Sequence, residues 1–428
     1  MTGTIVLSAL VVVYALAAAR IEYLHVTGPI VFVAVGFVLG SGGVSAVELG
    51  PGSEIVRVTT AVTLSLLLFS DAASIRLRML AHDAGLITRL LLIGLPLAVA
   101  LGTGMAWLIL PAMGAGIAAL LASILAPTDL SLGLAMFKNP RVPSLVRGAI
   151  NVESGLNDGI VAPIVTLFLG IAIAEFEHLT HPLVEAVVEI GIGLGVGGAI
   201  GLVGGLLVRH SQQAKWSTAS SRQFAVLALV ALAYTVAVTA GGNGFIAAFV
   251  GGLIFGFMAR EVAHGSVQLS ERLGTLLTFG VWFVFGASVA PTIISDGLTW
   301  RPILYALLSL TLIRMLPVAL SLLGKKLHLS TLVFVGWFGP RGLASVVFLI
   351  MALQGFDKAG MDTTLLATTA GWTILLSVVL HGVSAGPVAA WYATRAQRFR
   401  PNSPELEPSS QVPVRHGFAT PTSSHPEQ

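Results

Sequence analysis

The chain has 428 residues, 55% of them hydrophobic and only 10% charged, against roughly a quarter charged in an ordinary soluble domain. A formal charge of +3 is too small to suggest a nucleic-acid surface, and the absence of cysteine excludes disulfides and thiolate metal sites. The composition is that of an all-α polytopic membrane protein, in which dispersed glycine and proline are well tolerated.

Crossing the hydrocarbon as helix takes about 17–25 apolar residues. Thirteen stretches qualify in chain order: Thr4–Ala19, Pro29–Leu39, Val56–Ala73, Ile87–Leu110, Ala112–Phe137, Leu145–Ala174, Leu183–Val208, Phe224–Ala240, Phe245–Ala259, Leu273–Ala290, Ile303–Leu323, Leu329–Leu353 and Leu365–Ala393. The second is short. The first lacks a basic leader and runs into further spans, so it reads as a span rather than a cleaved signal. An odd count puts the termini on opposite sides. Assigning the C-terminus to the cytoplasm collects Arg20, Arg76, Arg78, Arg89, Lys138, Arg141, Arg147, Arg209, Lys215, Arg222, Arg260, Arg272, Lys325, Lys326, Arg395, Arg398, Arg400 and Arg415 there. Of the 23 basic residues only Arg57, Arg301 and Lys358 then fall outside, while Arg314 and Arg341 lie within spans. That asymmetry is the one expected of cytoplasmic loops. Residues 1–400 therefore read as one transmembrane domain, and Pro401–Gln428, rich in Pro, Ser, Thr and Glu, as a disordered cytoplasmic tail.

Within spans the deepest charges are Asp129, Glu153, Asp158, Arg314 and Arg341. A charge at the bilayer centre costs roughly 2.5–3.5 kcal/mol on insertion scales, so each is a functional candidate. Counting alone leaves three acids against two bases, so one acid is expected to serve a mobile cation or proton. Two spans carry a proline beside a charge, Ala126-Pro127-Thr128-Asp129 and Phe338-Gly339-Pro340-Arg341-Gly342. Proline removes an amide and frees upstream carbonyls, so both helices are expected to unwind there. The breaks lie seven spans apart, as expected if spans 1 to 6 and 8 to 13 are inverted repeats, and interrupted helices at corresponding positions point to a transporter's midplane site. The Asp of one break and the Arg of the other suit compensation of half-helix dipoles at a crossing.

The sixth span holds Asn151-Val152-Glu153-Ser154-Gly155-Leu156-Asn157-Asp158-Gly159. At 3.6 residues per turn Glu153 and Asn157 share one face and Ser154 and Asp158 another, about 100° away. One face can present a hydroxyl and a carboxylate to a cavity while the other meets a base, and Gly155 and Gly159 let a neighbouring helix approach. Oxygen-only ligands suit a hard cation. Only His381 among the histidines sits within a span, and no metal-ligand spacing occurs. Asp71, at the inner end of span 3, reads as an interfacial charge.

Taken together, Leu68-Phe69-Ser70-Asp71, Ala126-Pro127-Thr128-Asp129, Glu153-Ser154-Gly155-Leu156-Asn157-Asp158-Gly159, Leu312-Ile313-Arg314, Gly339-Pro340-Arg341-Gly342 and His381-Gly382 resemble the monovalent cation/proton antiporters of the NhaP and sodium/proton exchanger type. The resemblance implies a sodium/proton antiporter fold of about 13 helices. Its core would include residues 112–174 and 303–393 around crossed broken helices, the remainder would be scaffold and dimerisation surface, and the protein would work as a homodimer among membrane lipids. It implies that Asp158 binds cation or proton with help from Ser154, Thr128 and nearby Asp129. Glu153 would pair with Arg314, and Asn157 and Arg341 would support the site. The Asn-Asp pair implies the electroneutral one-for-one branch, exchanging Na⁺, or else Li⁺ or K⁺, for H⁺ across a prokaryotic plasma membrane. No cofactor, nucleotide or nucleic acid is implied, nor an enzymatic activity. Leu130 and Pro340 depart from the family pattern, and either could alter local unwinding. The rival readings are a proton-coupled carrier of a small organic solute, a passive cation channel, for which no filter repeat is seen, and an intramembrane hydrolase using Ser154 and His381, which lacks a base for the serine.

Overall fold

The computed structural model describes residues 2–407 apart from 24–25, 48–49, 51, 76–84, 134–135, 137–138, 178–181 and 296–298. A described helix lies over each of the thirteen apolar stretches, and no strand occurs among the described residues. In chain order these are α1 (Thr2–Tyr23), α2 (Gly28–Leu39), α3 (Glu54–Ser74), α4 (Gly85–Ile109), α5 (Gly114–Ile124), α6 (Ser144–Glu177) and α7 (Pro182–Gln213). There follow α8 (Ala219–Thr239), α9 (Gly244–Met258), α10 (Ala263–Val289), α11 (Trp300–Ser321), α12 (Leu329–Trp337), α13 (Leu343–Ala359) and α14 (Thr364–Ala396). By length and composition, eight helices among the described residues can cross a membrane unbroken. Of the basic positions named above, Arg76, Arg78, Lys138 and Arg415 lie outside the described residues.

Local chemistry explains the element ends. Asn243 opens α9, its Oδ1 accepting from Phe245 N at 2.9 Å and Ile246 N at 3.1 Å, which satisfies amides that have no partner inside the helix. Thr218 and Ser221 form a reciprocal capping box at the start of α8. A π-turn at Leu90–Gly94 in α4 directly precedes Pro96, whose ring cannot continue a regular ladder. The expected unwinding is present at both prolines: α5 stops at Ile124 and the chain is non-helical over 127–129, while 338–342 separates α12 from α13. The tenth helix begins at Ala263 rather than Leu273. The added turns carry His264, Gly265 and Arg272 on an exposed face while Ser266, Val267 and Ser270 are buried. A half-polar stretch of this kind falls below an apolar-window criterion although it is helical.

The helices pack in two groups. In one, α9 lies against α7 and α3, α10 against α3 and α2, and α8 against α7, α9 and α10. Small residues set the spacing: a Cβ on Gly252 or Gly256 of α9 would fall on the backbone of Phe69 or Ala73 in α3. In the other group α4, α5 and α6 pack consecutively, α11 packs on α14 and α12, and α13 reaches α6. The groups meet where α6 faces α7, α3 and α9, and where α13 and α14 reach α3, α10 and α2. Beyond Arg400 the chain continues in an ordered turn, Pro404–Leu406, whose Glu405 is fully buried. The solvated segment expected from composition thus begins with structure through Glu407, and 408–428 lie outside the described residues.

Candidate ion-binding site

The two broken spans cross at their breaks and are tied by backbone groups that the prolines freed. Asp129 N donates to Pro340 O at 2.8 Å. The Asp129 carboxylate caps both breaks: Oδ1 accepts from Ser131 N at 2.8 Å and Oδ2 from Leu343 N, the first residue of α13, at 3.1 Å. A carboxylate at that position faces the positive end of the half-helix. Arg341 does the converse. Its Nη1 donates to Ala126 O and its Nη2 to Ser309 O, each at 3.0 Å, so it compensates carbonyls at the end of α5 and in α11. The pairing inferred by counting charges therefore holds for one base only. Arg314 makes a two-pronged bond to Glu153, Nη1–Oε1 at 2.6 Å and Nη2–Oε2 at 2.9 Å, both side chains buried. Arg341 spends its donors on backbone because unwound carbonyls carry partial negative charge that a tally of side chains omits.

Held by this crossing, Thr128 reaches α6. Ser154 Oγ donates to Thr128 O at 2.6 Å, and Asn157 Nδ2 donates to Thr128 Oγ1 at 2.7 Å. Thr128, Ser154 and Asn157 are buried, and Asn157 Oδ1 has no hydrogen-bond partner among the described residues. Asp158 is half-buried and follows Ser154 by one turn on the same face. The structure thus brings Thr128, Ser154 and Asn157 together, with Asp158 one helical turn beyond Ser154, sets Asp129 as the cap of the crossing, and pairs Glu153 with Arg314. Hydroxyl, carbonyl, carboxamide and carboxylate oxygens are the donors such a place offers, a set suited to a hard cation.

Two features here go beyond what the sequence said of Asp71 and His381. Asp71 of α3 stands across the boundary between the helix groups, with its Cβ 4.0 Å from where a Cβ on Gly155 would be. Its distance from Asp158 in sequence gave no sign of that. The second is a set of supports from α14. His381 is buried, with Nε2 3.0 Å from Trp337 O. Nδ1 lies 3.1 Å from Ser377 O and 3.2 Å from Ser377 Oγ, and that Oγ accepts from Arg341 N at 2.7 Å. His381 also stacks on the Trp337 ring, centroids 4.8 Å apart. One histidine and one serine therefore hold both sides of the break between α12 and α13. The sequence marked His381 by its place within a span, and freed backbone must find partners, but neither named Trp337 or Ser377.

Known proteins share this architecture. The structure of the sodium proton antiporter MjNhaP1 from Methanocaldococcus jannaschii at pH 8 superposes with a TM-score of 0.74 over 88% of this chain and 98% of that one, at 20% identity. The K(+)/H(+) antiporter NhaP of Alkalimonas amylolytica is 26% identical over 275 residues, covering 64% of this chain and 46% of the relative. A Na(+)/H(+) antiporter of Schizosaccharomyces pombe is 24% identical over 283 residues, 59% of this chain and 58% of that protein. The alignments thus span about half the length of these curated relatives. The family model described as "Sodium/hydrogen exchanger, transmembrane" matches residues 6–391. With a match of that extent over a helical bundle of this fold, the chain belongs to the transmembrane sodium/hydrogen exchanger family.

Proposed function

We propose that the chain exchanges a monovalent cation, Na⁺ in the first instance, for H⁺, one for one, with cation and proton competing at Asp158. The observation that carries this reading is the crossing of two broken spans that delivers the Thr128 carbonyl and hydroxyl to Ser154 and Asn157, on the helical turn that ends in Asp158. Burial disfavours an ionised carboxylate, and either a proton or a cation with its oxygen ligands relieves that cost. If the empty, ionised site crosses poorly and the loaded site crosses readily, exchange follows without a nucleotide. Asp129, whose oxygens already accept from two amides, contributes negative potential and geometry, and Asp71 adds charge at the boundary.

In this reading the group containing α4–α6 and α11–α14 is the moving core, and the other group is the scaffold and the contact of a homodimer. The C-terminus faces the cytoplasm of a prokaryotic cell, as the basic residues suggest. The relatives named above divide between K⁺ and Na⁺, so K⁺ enters the test beside Na⁺. In proteoliposomes with an internal pH dye, Na⁺ or K⁺ pulses should collapse a preset proton gradient. Asp158→Asn should abolish the response while the purified protein stays monodisperse. Cation-driven proton flux that survives in Asp158→Asn sinks the proposal.

A further inference from the structure

After α14 the chain folds back on the bundle instead of leaving it. Arg398 N and Phe399 N bond to Arg395 O and Ala396 O, each at 3.1 Å, and the Phe399 ring stacks on His328, centroids 4.1 Å apart and planes within 5°. Ser403 N and Leu406 N close the next turns on Arg400 O and Ser403 O. This places Glu405 at 0% exposure, in a segment whose composition is that of a solvated linker. Its Oε1 accepts from His328 N at 2.6 Å and Thr331 Oγ1 at 2.9 Å. Thr331 Oγ1 lies 3.0 Å from Tyr392 OH, and Ser403 Oγ 3.5 Å from His328 Nε2. Glu405 Oε2 has no hydrogen-bond partner among the described residues.

The location gives this carboxylate a use. His328 directly precedes α12, the half-helix whose other end runs into Phe338, Pro340 and Arg341. Glu405 therefore sits on the positive end of that half-helix and binds an amide there, as a cap residue does. The Pro404–Leu406 turn also packs against α6, which carries Ser154 and Asp158. A buried carboxylate is costly to keep unless its oxygens find donors, and the donors found here, the His328 amide and the Thr331 hydroxyl, tie Glu405 to the start of α12.

We propose that Glu405 is a positioning residue for the ion site: residues 401–407 form a strap that fixes the start of α12 against α6 and so holds the crossing that presents Thr128. The strap deepens the exchange reading and its transport readout rests on it. It also makes a prediction independent of transport, because an unclipped α12 should open its first turn. Full-length wild type, Glu405→Ala, Glu405→Gln and Thr331→Val are compared in proteoliposomes and by hydrogen–deuterium exchange. Glu405→Ala should lower the maximal exchange rate about five-fold, the population shift expected on losing one helix cap, with the cation KM within about two-fold. Thr331→Val should move in the same direction by less, and Glu405→Gln, whose amide oxygen accepts the same two bonds, should recover most of the rate. Deuterium uptake at 328–333 should rise in Glu405→Ala and not in Glu405→Gln. Wild-type rates in both Glu405→Ala and Thr331→Val, or unchanged uptake at 328–333 in Glu405→Ala, overturn the strap. If wild type exchanges no cation, the exchange reading fails, while the uptake at 328–333 still decides the strap.

Discussion

Glu153 and Asp158 share one helix and one short motif, yet Glu153 is buried against a base while Asp158 is only half-buried. Glu153 is closed in a two-pronged bond with Arg314, with both side chains almost fully buried. Removing one partner strands the other charge in low dielectric, and such losses run to about 3–5 kcal/mol. Glu153→Ala and Arg314→Ala should each lower resistance to unfolding in detergent by that order. The double variant should recover part of the loss, since neither charge is then stranded. Purely additive losses in a double-mutant cycle would show that the two residues do not act as a pair. The motif was legible because carboxylates are rare in spans, and helix periodicity separated the two faces. Periodicity could not say which base meets which face. Arg341 illustrates the limit: a basic side chain near acids reads as an ion-pair partner, while the structure gives its donors to Ala126 O and Ser309 O.

At the scale of the elements, the crossing depends on backbone approaching backbone. A Cβ on Gly342 would overlap the Cβ of Asp129, and Asp129 cannot retreat, because its amide is bound to Pro340 O and its carboxylate to Ser131 N and Leu343 N. Gly342→Ala must therefore separate the two breaks or expel the cap. It should abolish cation-driven proton flux and lower the melting temperature. Retention of wild-type flux and melting temperature by Gly342→Ala would contradict the crossing geometry. At Gly339 an added Cβ would instead press on Nε and Cδ of Arg314, so Gly339→Ala tests the bond of that side chain to Glu153 rather than the backbone crossing. Pro127 and Pro340 announced these breaks in the sequence because proline's missing amide acts locally. The partners of the break were less legible: Ser377 carries no pattern of its own, and His381, although marked as the histidine within a span, gave no sign of which backbone it would hold. The start of α10 and the turn holding Glu405 were missed for the opposite reason, since their polar residues resemble loop until their burial is seen.

Across the whole molecule, hydropathy located the thirteen stretches because lipid demands apolar length. It could not sort them into groups, since helices apolar on every side show no stripe that names a neighbour. The boundary between the groups is where exchange makes its mechanical demand. On α6, Gly159 packs against the ring of Phe249 in α9, and farther along the helix Thr166 Oγ1 accepts from Asn243 Nδ2 at 2.7 Å, both residues buried. Asn243 is also the cap of α9, so this bond joins the start of a scaffold helix to the helix that carries Asp158. If the core slides against the scaffold during exchange, the bond breaks in every cycle, and its loss should favour the other arrangement by about 1 kcal/mol, roughly five-fold in population. Thr166→Val removes the acceptor while sparing the cap, whereas Asn243→Ala removes both and should also destabilise α9. Because the chain has no cysteine, spin labels can be placed singly on α6 and α9 without altering a background. Thr166→Val should then redistribute the inter-helix distances without changing the melting temperature by more than a few degrees. A distance distribution identical to that of wild type would mean that the bond does not bias the two arrangements, and that the closure between the groups rests on Phe249 and Gly159 instead.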